Sequence, residues 1–213
     1  MVVGGGHGIG RAAATRLSAE GASVVVADLD LDAAHAVAAE CRRRGPAAVD
    51  VECDLTEPSS VTAAVDAATE RFGRLDVLVN AAGGDREHPT FSDTADDTWH
   101  LLIELNLTGV VRCIRAALPH LVTAPDGASV VMIGSINGMT ALGSEPYSAA
   151  KAGLQNLTAN LAAQYARRGV RFNLIAPGCG QPTGRARSAG SVVPPRPDRG
   201  TRRYRRSHRL SRL

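Results

Sequence analysis

Tyr147 and Lys151 stand four residues apart in the run Tyr147-Ser148-Ala149-Ala150-Lys151. On a helix that spacing puts both side chains on one face. Lys151 is the only lysine in the 213-residue chain, and the other 23 of its 24 basic residues are arginine. Lysine carries a compact charge with rotatable donors and can give up its proton, whereas the planar arginine fork cannot. Free tyrosine loses its proton only near about pH 10, and a neighbouring ammonium stabilises the phenolate. The pair is therefore suited to moving a proton at neutral pH. A solvated helix face is the plain alternative, and the rest of the chain has to separate the two.

The second chemical feature is Gly4-Gly5-Gly6-His7-Gly8-Ile9-Gly10, set between the short run Met1-Val2-Val3 and a helical stretch beginning at Arg11. A glycine turn between a strand and a helix lets the backbone approach a pyrophosphate at the helix N-terminus. Asp28 follows Gly8 by twenty residues, at the carboxyl end of the next apolar run, Ser23-Val24-Val25-Val26-Ala27. A carboxylate there can accept hydrogen bonds from an adenosine ribose and repels a 2′-phosphate. NAD is favoured over NADP on this ground, with His7 and Arg11 as the residues that could lean toward a phosphate.

These residues need a frame. Strands are expected at 1–3, 23–27, 47–52, 75–79, 129–133 and 170–175, and helices at 11–20, 32–44, 58–72, 96–121 and 146–168. Strand and helix alternate throughout, which implies right-handed crossovers and an α/β, Rossmann-like, doubly wound parallel sheet of six strands. With 44% hydrophobic residues but only 3% aromatic, the core must be built from small aliphatic side chains. Cys41, Cys53, Cys113 and Cys179 have no CxxC pair and no histidine at zinc spacing, so they read as reduced thiols and no metal is expected. His35, His88, His100 and His120 show no ligand pattern, and Trp99 reads as a helix anchor. No run approaches the length of a membrane span and no leader is evident, which makes a cytoplasmic protein the expectation.

Several separate motifs together give residues 1–178 a resemblance to the short-chain dehydrogenase/reductase family. Gly4-x-x-x-Gly8-x-Gly10 looks like its cofactor loop, Asp54-Leu55 is similar to its adenine-bracketing pair, and Asn80-Ala81-Ala82-Gly83 looks like the end of its fourth strand. Asn106, Ser135, Tyr147 and Lys151 fall in the order of its catalytic tetrad, and Pro177-Gly178 resembles the turn beside the nicotinamide. The resemblance implies a nicotinamide-dependent oxidoreductase interconverting an alcohol and a ketone. Tyr147 would be the general acid/base, and Lys151 would lower its pKa and hold the nicotinamide ribose. Ser135 would donate to the substrate oxygen, and Asn106 would hold a relay water. Singly, Asn106 could be a helix-kink residue and Ser135 a loop cap. A homodimer through the helices at 96–121 and 146–168 is also implied.

The chain departs from that pattern in three ways. Val3 stands where a threonine is usual and the first strand looks clipped. Thr183 lies five rather than four residues beyond Gly178 and is not counted as a match. After 178 the composition breaks: residues 180–213 hold ten arginines and one acid, a net of +9, against −6 for residues 1–179. Residues 179–213 read as a disordered Arg/Pro-rich tail, expected to be a frame-shift or truncation product in place of a substrate lid. Two other classes remain open: a dinucleotide-binding protein without turnover, and a basic arm that binds nucleic acid or another polyanion.

Overall fold

The computed structural model describes residues 1–86, 90–140 and 142–178. The expected tail at 179–213, with Cys179, and His88 in the loop after the fourth strand lie outside the described residues.

Six parallel strands form one sheet: β1 (Val2–Val3), β2 (Val24–Asp28), β3 (Ala48–Glu52), β4 (Val77–Asn80), β5 (Ala128–Ile133) and β6 (Val170–Ile175). Their order is β3-β2-β1-β4-β5-β6, so the direction of winding reverses between β1 and β4. The crevice at the carboxyl ends of those two strands is where an open sheet of this kind receives a ligand. The doubly wound six-stranded expectation holds. β1 has only two residues, yet Val2 and Val3 pair with Val26 and Ala27 on one side and Val79 and Asn80 on the other.

Helices α1 (Gly8–Ala19), α2 (Leu31–Arg42), α3 (Pro58–Phe72), α4 (Asp96–Ile103), α5 (Gly109–Leu121) and α6 (Glu145–Tyr165) cover both faces. Each has a local cause. Asp30 accepts the Ala33 amide and caps α2. Pro58 opens α3 and Gly73, left-handed at φ 72°, closes it. Two buried clusters result: Val2, Val24, Val26, Ala34, Val37 and Ala38 under α1 and α2, and a larger one around Leu78, Val110, Ile114, Met132 and Leu154 on the other face. Small side chains allow the helices to lie close to the sheet.

The stretch 96–121, expected as one helix, is interrupted. Residues Glu104–Thr108 form a π-turn between α4 and α5, and Asn106 sits inside it, fully buried. Such turns are single-turn insertions that recur at functional sites. Cys41, Cys53 and Cys113 are free and buried, as the reduced-thiol reading requires. Among the described residues, no helix is long and apolar enough to cross a membrane.

Candidate active site

The glycine turn closes directly on the end of β1. Gly4 and Gly5 both donate to the Ala27 carbonyl, at 2.8 and 3.1 Å. A Cβ on Gly10 would lie 1.9 Å from the Gly4 carbonyl oxygen, so α1 starts pressed against the turn and no side chain fits between. The first bond inside α1 runs from the Arg11 amide to the His7 carbonyl. The amides of residues 8–10 therefore have no acceptor within the helix, and no acidic residue occupies its first turn. Free amides at the positive end of a helix dipole form an anion site.

Asp28 ends β2 beside this turn. One of its oxygens accepts the Gly6 amide at 2.8 Å and the other the Asp30 amide at 3.1 Å. The carboxylate thus caps the turn and the loop together, and lone pairs remain on both oxygens. Arg11, one of the two residues that could have favoured a phosphate, is turned away: its guanidinium pairs with Glu40 at 3.1 Å. His7 lies 3.9 Å from Asp30.

A cleft of about 430 Å³ runs along the carboxyl ends of the strands. Gly4, Gly8, Ile9, Gly10, Asp28, Asp54, Leu55, Ala81 and Gly83, nine residues singled out in the sequence, all line it. So do Leu29, Cys53 and Leu105, which carried no sequence signal. Asp54 spends one oxygen on the amide and hydroxyl of Thr56, leaving the other for the cleft. Pro177 does not line the cleft; its carbonyl accepts the Ile136 amide and ties the end of β6 to the turn after β5. Asn80 lies buried at the end of β4 with neither its amide nitrogen nor its oxygen hydrogen-bonded. A buried amide without partners is costly, and this one is the residue before the cleft wall formed by Ala81–Gly83. Hollows of about 410 and 750 Å³ lie elsewhere, around Met1 and Val24 and around Ala128 and Val170. Those are the amino ends of the strands, the wrong edge for a ligand of this fold. The glycine cradle, the free amides and the ribose-competent carboxylate fit a dinucleotide.

Behind the Gly83 wall of the cleft, Lys151 is 4% exposed. Its ammonium donates to the Ile133 carbonyl at 2.9 Å and lies 5.5 Å from the centre of the Tyr147 ring. Burial lowers its pKa from 10.5 to about 8. A Cβ on Gly83 would stand 3.2 Å from the Lys151 nitrogen and 2.6 Å from Asn106 Oδ1. Only a glycine at 83, a lining residue of the cleft, fits against both groups.

Asn106 acts as a clamp. Its Nδ2 donates to the Gly84 and Leu102 carbonyls, both at 2.9 Å, and its Oδ1 accepts the Gly84 amide at 3.1 Å. The side chain that was expected to hold a relay water is engaged with the backbone, holding the residue after Gly83 against the π-turn. Ser135 accepts the Asn137 amide at 3.1 Å. That makes it a loop cap, and its own hydrogen stays free to donate. The short turn after Ser135 packs against α6 so tightly that a Cβ on Gly138 would lie 2.7 Å from the Lys151 carbonyl carbon. Asn106 and Lys151 thus meet at Gly83, with the Tyr147 ring beside the Lys151 ammonium and the turn after Ser135 packed on the Lys151 backbone. Asp85, which the sequence did not single out, accepts the Ser144 hydroxyl at 2.5 Å and ties the loop after β4 to the start of α6.

A model described as short chain dehydrogenase matches residues 1–191. The chain belongs to the short-chain dehydrogenase family. It is 40% identical over 178 residues to cis-4-hydroxycyclohexanecarboxylate dehydrogenase of Sinomonas cyclohexanicum, covering 84% of this chain and 71% of that one. It is 42% identical to (5R,7aS)-5-hydroxy-7a-methyl-1-oxo-2,3,5,6,7,7a-hexahydro-1H-indene-carboxyl-CoA reductase of Mycobacterium tuberculosis, covering 81% of this chain and 66% of that one. Its fold matches the crystal structure of carveol dehydrogenase from Mycobacterium avium in complex with NAD, with a TM-score of 0.78, 28% identity, and coverage of 83% of this chain and 68% of that one. The chain therefore spans about two thirds of the length of these relatives. The short-chain dehydrogenases it matches are oxidoreductases, and a nicotinamide dinucleotide is the family's cofactor.

Proposed function

We propose that this chain is an NAD-dependent oxidoreductase that interconverts a secondary alcohol and a ketone, with Tyr147 as general acid/base. The observation that carries the reading is the buried Lys151 ammonium, placed between the Tyr147 ring and the cleft wall at Gly83. When bound, the nicotinamide supplies or accepts the hydride. The residues do the rest. The amides of residues 8–10 hold the pyrophosphate, and Asp28 accepts from the adenosine ribose. Tyr147 gives a proton to the alkoxide oxygen in reduction and takes it from the hydroxyl in oxidation. Lys151 stabilises the phenolate and donates to the ribose, and Ser135 donates to the substrate oxygen as charge develops. Asn106 keeps Gly83 and Gly84 in place.

The names of two relatives each carry a hydroxyl on a carbon ring, and Met139 and Leu142, between Ser135 and Tyr147, are half exposed. An alicyclic alcohol or ketone is the substrate class we propose. NAD is preferred because Asp28 repels a 2′-phosphate and Arg11 is committed to Glu40. A homodimer through 96–121 and 146–168 goes with the same reading.

The test is calorimetric titration with NADH and NADPH, followed by reduction of a panel of cyclohexanones by wild type and Tyr147→Phe. NADH should bind at least tenfold more tightly than NADPH, Asp28→Ala should erase that gap, and Y147F should lose at least about a hundredfold in rate. Equal affinities, or an active Y147F, would overturn the assignment. A second reading is dinucleotide binding without turnover. It predicts NADH binding with no reduction of any ketone.

A further inference from the structure

Arg112 lies one turn into α5, away from the groups that would touch a substrate. Its Nη1 donates to the Leu55 carbonyl at 3.2 Å and pairs with the Glu104 carboxylate. Glu104 opens the π-turn, whose next residue, Leu105, lines the cleft, and Leu55 lines it too. One guanidinium thus joins two walls of the cleft that come from segments about fifty residues apart in the chain.

Two facts argue against an ordinary surface ion pair, which contributes little. The Arg112 and Glu104 side chains are only 26% and 31% exposed, and the second bond goes to the backbone of a buried residue, Leu55. The neighbouring backbone is also pressed together, since a Cβ on Gly109 would lie 2.7 Å from Leu55 Cβ and 2.8 Å from its carbonyl oxygen. Any change in the 53–55 loop is therefore felt at the start of α5.

The sheet order says which end of the cleft this governs. Asp28 and the 53–55 loop, to which Arg112 reaches across from the segment after β4, follow β2 and β3 on one side of β1, whereas Ser135 and the Ile133 carbonyl that holds Lys151 lie at the end of β5, on the other. We infer that Arg112 is a positioning residue for the adenosine half of the dinucleotide: it fixes the Leu55 and Leu105 walls relative to each other and takes no part in proton transfer. The inference rests on the reading of the cleft as a dinucleotide site.

The experiment measures dissociation constants of ADP and NADH by calorimetry for wild type, Arg112→Ala, Arg112→Gln, Arg112→Lys and Glu104→Gln, with a thermal melt of each. Losing a charge-assisted bond to the Leu55 carbonyl should weaken ADP by about tenfold in R112A and R112Q. R112K, whose ammonium can still donate to both partners, should recover to within about threefold of wild type, and E104Q, whose amide oxygen still accepts from Arg112, should also stay within about threefold. In steady-state assays the same variants should raise KM for NADH while kcat changes less than twofold. ADP binding within twofold of wild type in folded R112Q or R112A, whatever the melting temperature, would overturn the inference alone. Should R112A and R112Q not fold, R112K decides: an ADP affinity as poor as that of Gly10→Ala would refute the inference. Wild type that binds neither ADP nor NADH would overturn the dinucleotide reading and this inference with it.

Discussion

Replacing Lys151 with methionine tests whether the buried ammonium is kept for chemistry at the expense of the fold. Its pKa falls from 10.5 to about 8 because burial disfavours the charged form. A group whose folded pKa is depressed below its unfolded value binds more protons in the unfolded chain between the two values, so stability rises with pH across that window. Below about pH 8 both states are protonated and the fold carries the whole burden, about 3 kcal/mol for a shift of this size. Lys151→Met removes the charge at similar volume but leaves the Ile133 carbonyl without its donor, a loss of about 1–2 kcal/mol. The net expectation at pH 7 is a variant about 1–2 kcal/mol more stable than wild type and without turnover. From pH 7 to pH 9 wild type should gain about 1.4 kcal/mol from this group, while Lys151→Met gains nothing from it. Urea unfolding of both proteins at the two pH values provides the measurement. A methionine variant that is less stable at pH 7, with the same pH dependence as wild type, would refute the reasoning.

Two further outcomes follow from the geometry. Gly10→Ala places a methyl group against the Gly4 carbonyl, so it should lose about 2–4 kcal/mol in a thermal melt and bind no NADH in calorimetry. Asn106→Ala strips both Gly84 backbone groups and the Leu102 carbonyl of their partner; it should cost about 2–4 kcal/mol in urea unfolding, with Asn106→Asp only partly rescuing it.

Sequence pattern carried most of the frame because buried parallel strands are continuous Val/Leu/Ile runs and the helices between them end at glycines. Boundaries moved where a loop competed with a ladder. Leu75 and Asp76 were read as strand, but β4 begins only at Val77, and Arg74 turns back to hold Asp76 at the edge. The site was legible where one residue type has one use, as with Lys151 and the glycine turn. Its roles were less legible where a side chain has two uses. Asn106 reads as a relay-water holder or a helix-kink residue, and its bonds to Gly84 and Leu102 show only in the fold. Arg112, Leu105 and Cys53 left no mark because what matters is a neighbour across the sheet or across the π-turn. The pairing of Arg112 with Glu104 does not fall at the three- or four-residue spacing that a helix face would reveal.

The π-turn also constrains how this segment can change. Leu102 and Leu121 are both buried and stand nineteen positions apart, whereas five turns of a regular helix take up about eighteen residues. The wide turn at Glu104–Thr108 absorbs the surplus residue, and both leucines are buried. Deleting a single residue there would leave an unbroken and locally better-bonded helix. It would also rotate one half against the other by about 100°, swinging either Leu102 or the Val110, Ile114 and Leu121 row away from the core. Loss of one residue in this stretch therefore acts as a twist of the whole element, not as a local shortening.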